Sequence, residues 1–200
     1  MDPVVENKLK EKVRLLLMKG RQTDWEHTLR AVEYGKYLLR HEEGDEEIVI
    51  PALYLHDIGW GSVNFDDFRK ASPKKKKEAV SVFLHMRNGA AFARKILDDL
   101  GWDPEKTQMI VSIIEIHDDT DKIFALDNPS ANLITEADRM DRYGPESINR
   151  FKAMLGENYF NEDHRKKGSA YLREGLEVWF RTRTGKALAQ RLARKTGLLT

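Results

Sequence analysis

Apolar residues recur along this chain at intervals of three and four among lysines and glutamates, and no stretch shows the strict alternation of a half-buried strand. Val5, Leu9, Val13, Leu16 and Leu17 mark one side of a helix predicted from about Val4 to Met18 and closed by Gly20. Thr23-Asp24-Trp25-Glu26 has the residues of a capping box, in which hydroxyl and carboxylate satisfy free amides of a first turn. A second helix is therefore predicted from there to about His41, with Val32 and Leu38 inward and Gly44 beyond its end. A third starts near Asp45 and turns Ile48, Ala52 and Leu55 inward. Pro51 removes a backbone hydrogen bond and crowds the preceding turn, which predicts either a kink or a helix that begins near Ile50.

From Trp60 to Pro73 polar and turn-forming residues interrupt the periodicity, which reads as a long loop: a lid over a site, or an ordinary surface excursion. Lys74 to Lys77 place cations at a helix start, where they oppose the helix dipole; the run is a solvated face or a device that attracts an anion. Val80, Phe83, Leu84, Ala91, Ile96 and Leu97 form the apolar side of one long helix or two short ones, ended by Gly101. Asp103-Pro104-Glu105 combines an N-cap, a first-turn proline and a carboxylate near the positive helix end, and Met109, Ile110, Ile113 and Ile114 line the buried side that follows. After a loop through Asn128-Pro129, Ala131 to Met140 is helical with Leu133, Ile134 and Ala137 inward. A shorter helix from Pro145 to Leu155, a polar loop and two helices from about Ala170 complete an all-α fold.

Composition narrows the chemistry. With 200 residues, 40% hydrophobic and 34% charged, the chain suits a single, highly charged helical domain. A formal net charge of +1 does not call for nucleic acid. After Glu177 no acidic residue follows while Arg181, Arg183, Lys186, Arg191, Arg194 and Lys195 accumulate, which reads as a solvated helix face in preference to a nucleic-acid contact. The start Met1-Asp2-Pro3 lacks the basic and apolar blocks of a secretory signal, and no apolar run approaches the roughly 20 residues of a bilayer span, so no membrane association and a cytoplasmic location are expected. A homo-oligomer is compatible with the sequence. Cysteine is absent, so any metal must sit on His, Asp and Glu.

The chemistry centres on Ala52-Leu53-Tyr54-Leu55-His56-Asp57-Ile58-Gly59, where an apolar run delivers a histidine and a carboxylate at a helix end. Both side chains can reach one ion there, as ligands suited to divalent metals. His27 falls in or just after the first turn of the second helix, His85 between apolar positions, and His117 at i+4 from Ile113 with Asp118 behind it. The apolar positions of Ala131 to Met140 lead to Asp138, a carboxylate beside the core that needs a cation or several donors. Singly, His27 reads as a cap-region histidine bonded to a carbonyl in preference to a ligand, and His117 as a satisfied core histidine.

Taken as an ordered set, and above all in Leu55-His56-Asp57-Ile58-Gly59 with Glu136-Ala137-Asp138-Arg139 far downstream, these residues resemble the HD-domain superfamily of metal-dependent phosphohydrolases. The resemblance spans roughly Thr23 to Gly144 and implies an HD-type metal-binding core over 23–144, with the N-terminal helix over 1–22 packed on it and the helices over 145–200 as an extension of the same domain. It implies that His27, His56, Asp57 and Asp138 hold one divalent ion, and that His85 and His117, with Asp57 bridging, hold a second. The metal, one ion or two, is left open among Mn, Fe, Co, Ni, Zn and Mg. Asp118 stands where several members have a second histidine, and serves as a ligand or marks a weaker second site. Trp60 stands where many members have a lysine, so a phosphate contact passes to another cation such as Lys74 or Arg142.

The implied reaction is hydrolysis of a phosphate ester of a nucleotide or small phosphorylated metabolite, with Asp57 bridging and orienting the water. Two alternatives stay open at this point: a di-iron oxygenase built on the same ligand pattern, and a regulatory protein that keeps its metal for stability.

Overall fold

Ten α-helices and one 3-10 turn, with no strand, make up the described residues of a computed structural model, namely 1–21, 23–64, 66, 79–156 and 162–197. The helices are α1 (Pro3–Leu17), α2 (Asp24–Leu39), α3 (Glu46–Leu55), α4 (Val80–Asp99), α5 (Pro104–Ile116), α6 (Thr120–Ala125), α7 (Pro129–Met140), α8 (Ser147–Leu155), α9 (Glu162–Val178) and α10 (Arg183–Thr196). The 3-10 turn, Ile58–Ser62, follows α3 directly.

α3 is the central rod. Every residue from Val49 to Leu55 is buried, as expected of a helix apolar all round, and α1, α2, α5 and α7 pack about it. Asp45 caps it through the Glu47 amide, so it begins at Glu46 and not near Ile50. Pro51 is accommodated inside the helix because the Glu47 carbonyl, deprived of its amide partner, accepts instead from the Trp102 indole at 3.1 Å.

Three other local expectations change. Thr23 occupies the N-cap of α2, but its hydroxyl bonds nothing; the Asp24 carboxylate next to it is turned back to accept the Arg21 amide at 2.9 Å, so the capping box does not form. The loop expected from Trp60 starts instead as the 3-10 turn, with Trp60 itself buried; the basic run Lys74 to Lys77 and most of that loop lie outside the described residues. α4 is one long helix whose inward face is Val82, His85, Gly89, Ala93, Ile96 and Leu97, while Val80 and Phe83 are 65% and 61% exposed and Ala91 also faces out. Small residues set that face because the 3-10 turn lies against it: a Cβ on Gly59 would stand 1.9 Å from the His85 carbonyl oxygen.

A second apolar cluster forms where Met140 and Tyr143 meet Leu172, Leu176, Leu188 and Ala189 of the last two helices and Trp179 and Phe180 between them. Glu136 of α7, fully buried, ties this part down by accepting from the Arg181 and Thr182 amides and the Thr182 hydroxyl at the start of α10. Thr182 caps α10 at Gly185. Among the described residues no helix is long and apolar enough to cross a membrane.

Candidate metal centre

Helix ends aim the functional side chains. His56 and His117 are the C-caps of α3 and α5, and each uses Nδ1 to donate to the carbonyl three residues back, Leu53 at 2.8 Å and Ile114 at 2.7 Å. Carbonyls in a last helical turn lack intrahelical amides, so the rings satisfy a need the backbone creates. His85, in α4, has Nδ1 3.3 Å from the Ser81 carbonyl, and His27, in the first turn of α2, has Nδ1 2.9 Å from Asp141 Oδ2. Acceptor oxygens at all four Nδ1 positions fix a ring hydrogen there, so that Nε2 is the nitrogen each ring can offer to a metal.

Those four Nε2 atoms converge on the two oxygens of Asp57. Oδ2 is 3.4 Å from His56 Nε2 and 3.7 Å from His27 Nε2; Oδ1 is 3.9 Å from His85 Nε2 and 3.7 Å from His117 Nε2. His27 and His56 approach each other at 3.2 Å, His85 and His117 at 3.4 Å. Asp138 Oδ1 completes the first side, 3.1 Å from His27 and 3.8 Å from His56. His27, His56 and Asp57 form one group, and Asp57, His85 and His117 another, whose donor atoms lie within 4.8 Å of one another. All of these side chains are buried. Such donor sets, neutral imidazoles and carboxylates with every Nδ1 fixed, fit divalent metal ions.

A family model for the HD domain matches residues 24–143. The chain belongs to the HD-domain family. No curated protein and no solved structure matches it. HD domains bind divalent metals, and the family consists mostly of hydrolases. The family match covers α2 through Tyr143, and with them all six of the converging side chains, His27, His56, Asp57, His85, His117 and Asp138.

The electrostatics of this HD centre separate its two sides. Burial opposes a charge on His56, but Asp57 and Asp138 outweigh it, and the protein side chains alone raise its pKa to about 9. Burial dominates at His85, with His117 adding to it, and lowers its pKa to about 4. Asp57 and Asp138 stay well below the usual carboxylate range: burial pushes them up, but Arg21 and His56 at Asp57, and Arg139 and His27 at Asp138, prevail.

Three further participants lie outside the ligand pattern read from the sequence. Asp141 accepts from His27 and pairs with Arg30 through Nε. Arg21, from the segment between α1 and α2, places its guanidinium 2.5 Å from Asp57 Oδ2 and bonds Asp24 at 2.7 Å. Arg150, from α8, reaches toward Asp57 Oδ2 at 3.8 Å and Asp141 Oδ2 at 3.6 Å. The spacing of Asp141 from Asp138, three residues along a helix end, was the one sequence cue available for any of them.

The remaining predicted residues sit apart from the ligand atoms to different degrees. Asp118 Oδ2 is 3.5 Å from His85 Nε2 and its other oxygen pairs with Arg139 at 3.1 Å, so it borders the second group. Arg142 lies with its guanidinium 5.5 Å from the Trp179 ring centre, in the second apolar cluster, and pairs with none of Asp57, Asp138 or Asp141. Lys74 lies outside the described residues. Trp60 stacks on His85 with ring centres 3.9 Å apart and donates its indole hydrogen to Asp57 Oδ1 at 3.0 Å.

Proposed function

We propose that this HD-domain chain is a metal-dependent phosphohydrolase that cleaves a phosphate ester of a nucleotide or small phosphorylated metabolite, acting in the cytoplasm. The observation that carries this reading is the division of Asp57, one oxygen toward the His27/His56 pair and the other toward the His85/His117 pair. His27, His56, Asp57 and Asp138 would hold one divalent ion, and Asp57, His85 and His117 the other. Bound ions of this kind make water available as hydroxide near neutral pH and offset charge on phosphoryl oxygens.

The side chains do the rest. Asp57 orients the attacking water between the two groups. Carbonyls on three Nδ1 atoms and Asp141 on the fourth keep the rings from turning, so that little reorganisation accompanies the reaction. Trp60 fills the space beside His85 and limits water access there. Lys74 and Arg142 are the cations the sequence offers for the substrate phosphate, although nearer ones exist.

Phosphate release from a panel of nucleotides and sugar phosphates, with Mn, Co or Ni added to metal-stripped protein, tests the reading. Turnover of one ester class that stops on chelation is the expected result. Oxygen uptake by iron-loaded protein without phosphate release would replace hydrolysis by an oxygenase, and bound metal with neither activity would make the protein regulatory.

A further inference from the structure

Arg150 is the side chain that the ligand arrangement leaves unexplained. It is 7% exposed, its Nε bonds nothing among the described residues, and its terminal nitrogens come no closer than 3.6 and 3.8 Å to carboxylates that have stronger partners. Removing a guanidinium from water for such long contacts is unfavourable unless another anion completes it. Arg21 stands on the same oxygen, Asp57 Oδ2, the one that faces His27 and His56, so two cations from different elements meet at that oxygen. Their mutual repulsion adds to the need for a shared counter-ion.

Resting on the hydrolase reading above, we propose that Arg21 and Arg150 form a clamp for the terminal phosphate of a phosphomonoester, set against the His27/His56 side of the centre. Planar guanidinium forks match phosphate oxygens in geometry as well as charge. The charge balance selects the ester class. The carboxylates joined by ion pairs around the cluster are Asp24, Asp57, Asp118, Asp138 and Asp141, and the guanidiniums are Arg21, Arg30, Arg139 and Arg150, one negative charge in excess with neutral histidines. Two divalent ions would turn this into an excess of three positive charges. A dianionic monoester together with a hydroxide offsets that excess fully; a monoanionic diester does not.

The test uses binding, so that it stands apart from turnover. Wild type, Arg150→Gln, Arg150→Lys and Arg21→Gln, each loaded with Mn and brought to equal metal content by elemental analysis, are titrated with inorganic phosphate by calorimetry. Wild type should bind phosphate, both glutamine variants at least about tenfold more weakly, and Arg150→Lys in between, since lysine keeps the charge and loses the fork. Should Arg150→Gln fail to fold, the isocharged Arg150→Lys carries the comparison. Phosphate affinity within about twofold of wild type in the Arg150 variants, or a fully loaded wild type that binds no phosphate, overturns the clamp. Phenylphosphonate, a dianion that resists hydrolysis, should displace the phosphate and diphenyl phosphate should not; equal displacement overturns the monoester assignment. A wild type that binds phosphate through Arg150 yet releases none from any ester leaves the clamp in place and removes the hydrolase reading instead.

Discussion

Asp141 Oδ2 lies 2.9 Å from Nδ1 of His27, so the carboxylate one helical turn beyond Asp138 orients the same ring whose other nitrogen is 3.1 Å from Asp138. α7 thus supplies a candidate ligand, and its C-cap the group that aims the neighbouring ring. The hydrogen bond from His27, together with Arg30 and Arg150, keeps Asp141 ionised against the pull of burial. Replacing Asp141 with Ala frees the His27 ring to turn and to take the wrong tautomer. Metal affinity should fall about 10–100-fold while the helical content stays that of wild type. Competition with a chelating dye measures the first and circular dichroism the second; unchanged affinity would mean that Asp141 serves only Arg30.

Asp57 is predicted to matter to both groups at once, because each of its oxygens faces a different histidine pair. Asp57→Ala should reduce bound metal below one ion per chain, whereas His117→Ala should spare the His27/His56 side and remove at most one. Elemental analysis of both variants after dialysis decides the matter. Full metal content in Asp57→Ala would show that the carboxylate bridges nothing.

The parts of this centre that could be read in the sequence are those delivered by periodic apolar helices. His56 and Asp57 end the most apolar helix, His117 ends α5, and Asp138 ends the inward side of α7, so hydrophobic period alone points them to one interior. Arg21 and Arg150 escape for the opposite reason: arginines on charged segments look solvated, and only tertiary packing turns them inward. The inward face of α4 departs from its apolar pattern because hydrophobic bulk is a poor guide where a backbone must pass closely. Gly59 and Gly89 make that approach feasible, and Val80 and Phe83 are left outside. Pro51 shows the same limit, since the indole that accommodates it comes from Trp102, far along the chain.

Gly59→Ala tests that close approach. The new Cβ would meet the His85 carbonyl oxygen and carbon and the Gly89 amide, all backbone atoms that no rotamer change can move aside. Either α4 or the 3-10 turn must shift, at a cost of about 3 kcal/mol or more. A drop in the urea midpoint together with weakened metal binding at the His85/His117 pair is expected, because the displaced helix carries His85. A variant as stable as wild type would show that the turn and α4 are not in contact as described.

Glu136→Ala separates stability from chemistry. Its carboxylate accepts two amides and a hydroxyl at the start of α10, and burial raises its pKa in spite of them. Removing it strands the Arg181 and Thr182 amides and should cost about 2–4 kcal/mol by thermal or urea unfolding. Metal content should not change, since Glu136 points to the C-terminal helices and not to the ligand atoms. Loss of metal at full stability would contradict that division.

The two sides of the centre should load metal with different pH dependence. With metal removed, His56 holds its proton up to about pH 9, above the ordinary value near 6.5, so its charge-dependent stabilisation is complete below about pH 6.5 and is lost as pH rises through 9. An ion entering the His27/His56 side must displace that proton, so its affinity should rise about tenfold per pH unit from 7 to 9 and level off above. His85 runs the other way: its pKa is depressed to about 4, so its contribution is present above about pH 6.5 and lost as pH falls through 4, and its proton does not compete with metal near neutrality. Calorimetric titration at pH 7 in two buffers of different ionisation heat should therefore show about one proton released on loading the His27/His56 side, and less in the variant His56→Ala. Identical proton release in wild type and His56→Ala would mean that Asp57 and Asp138 do not hold the imidazolium.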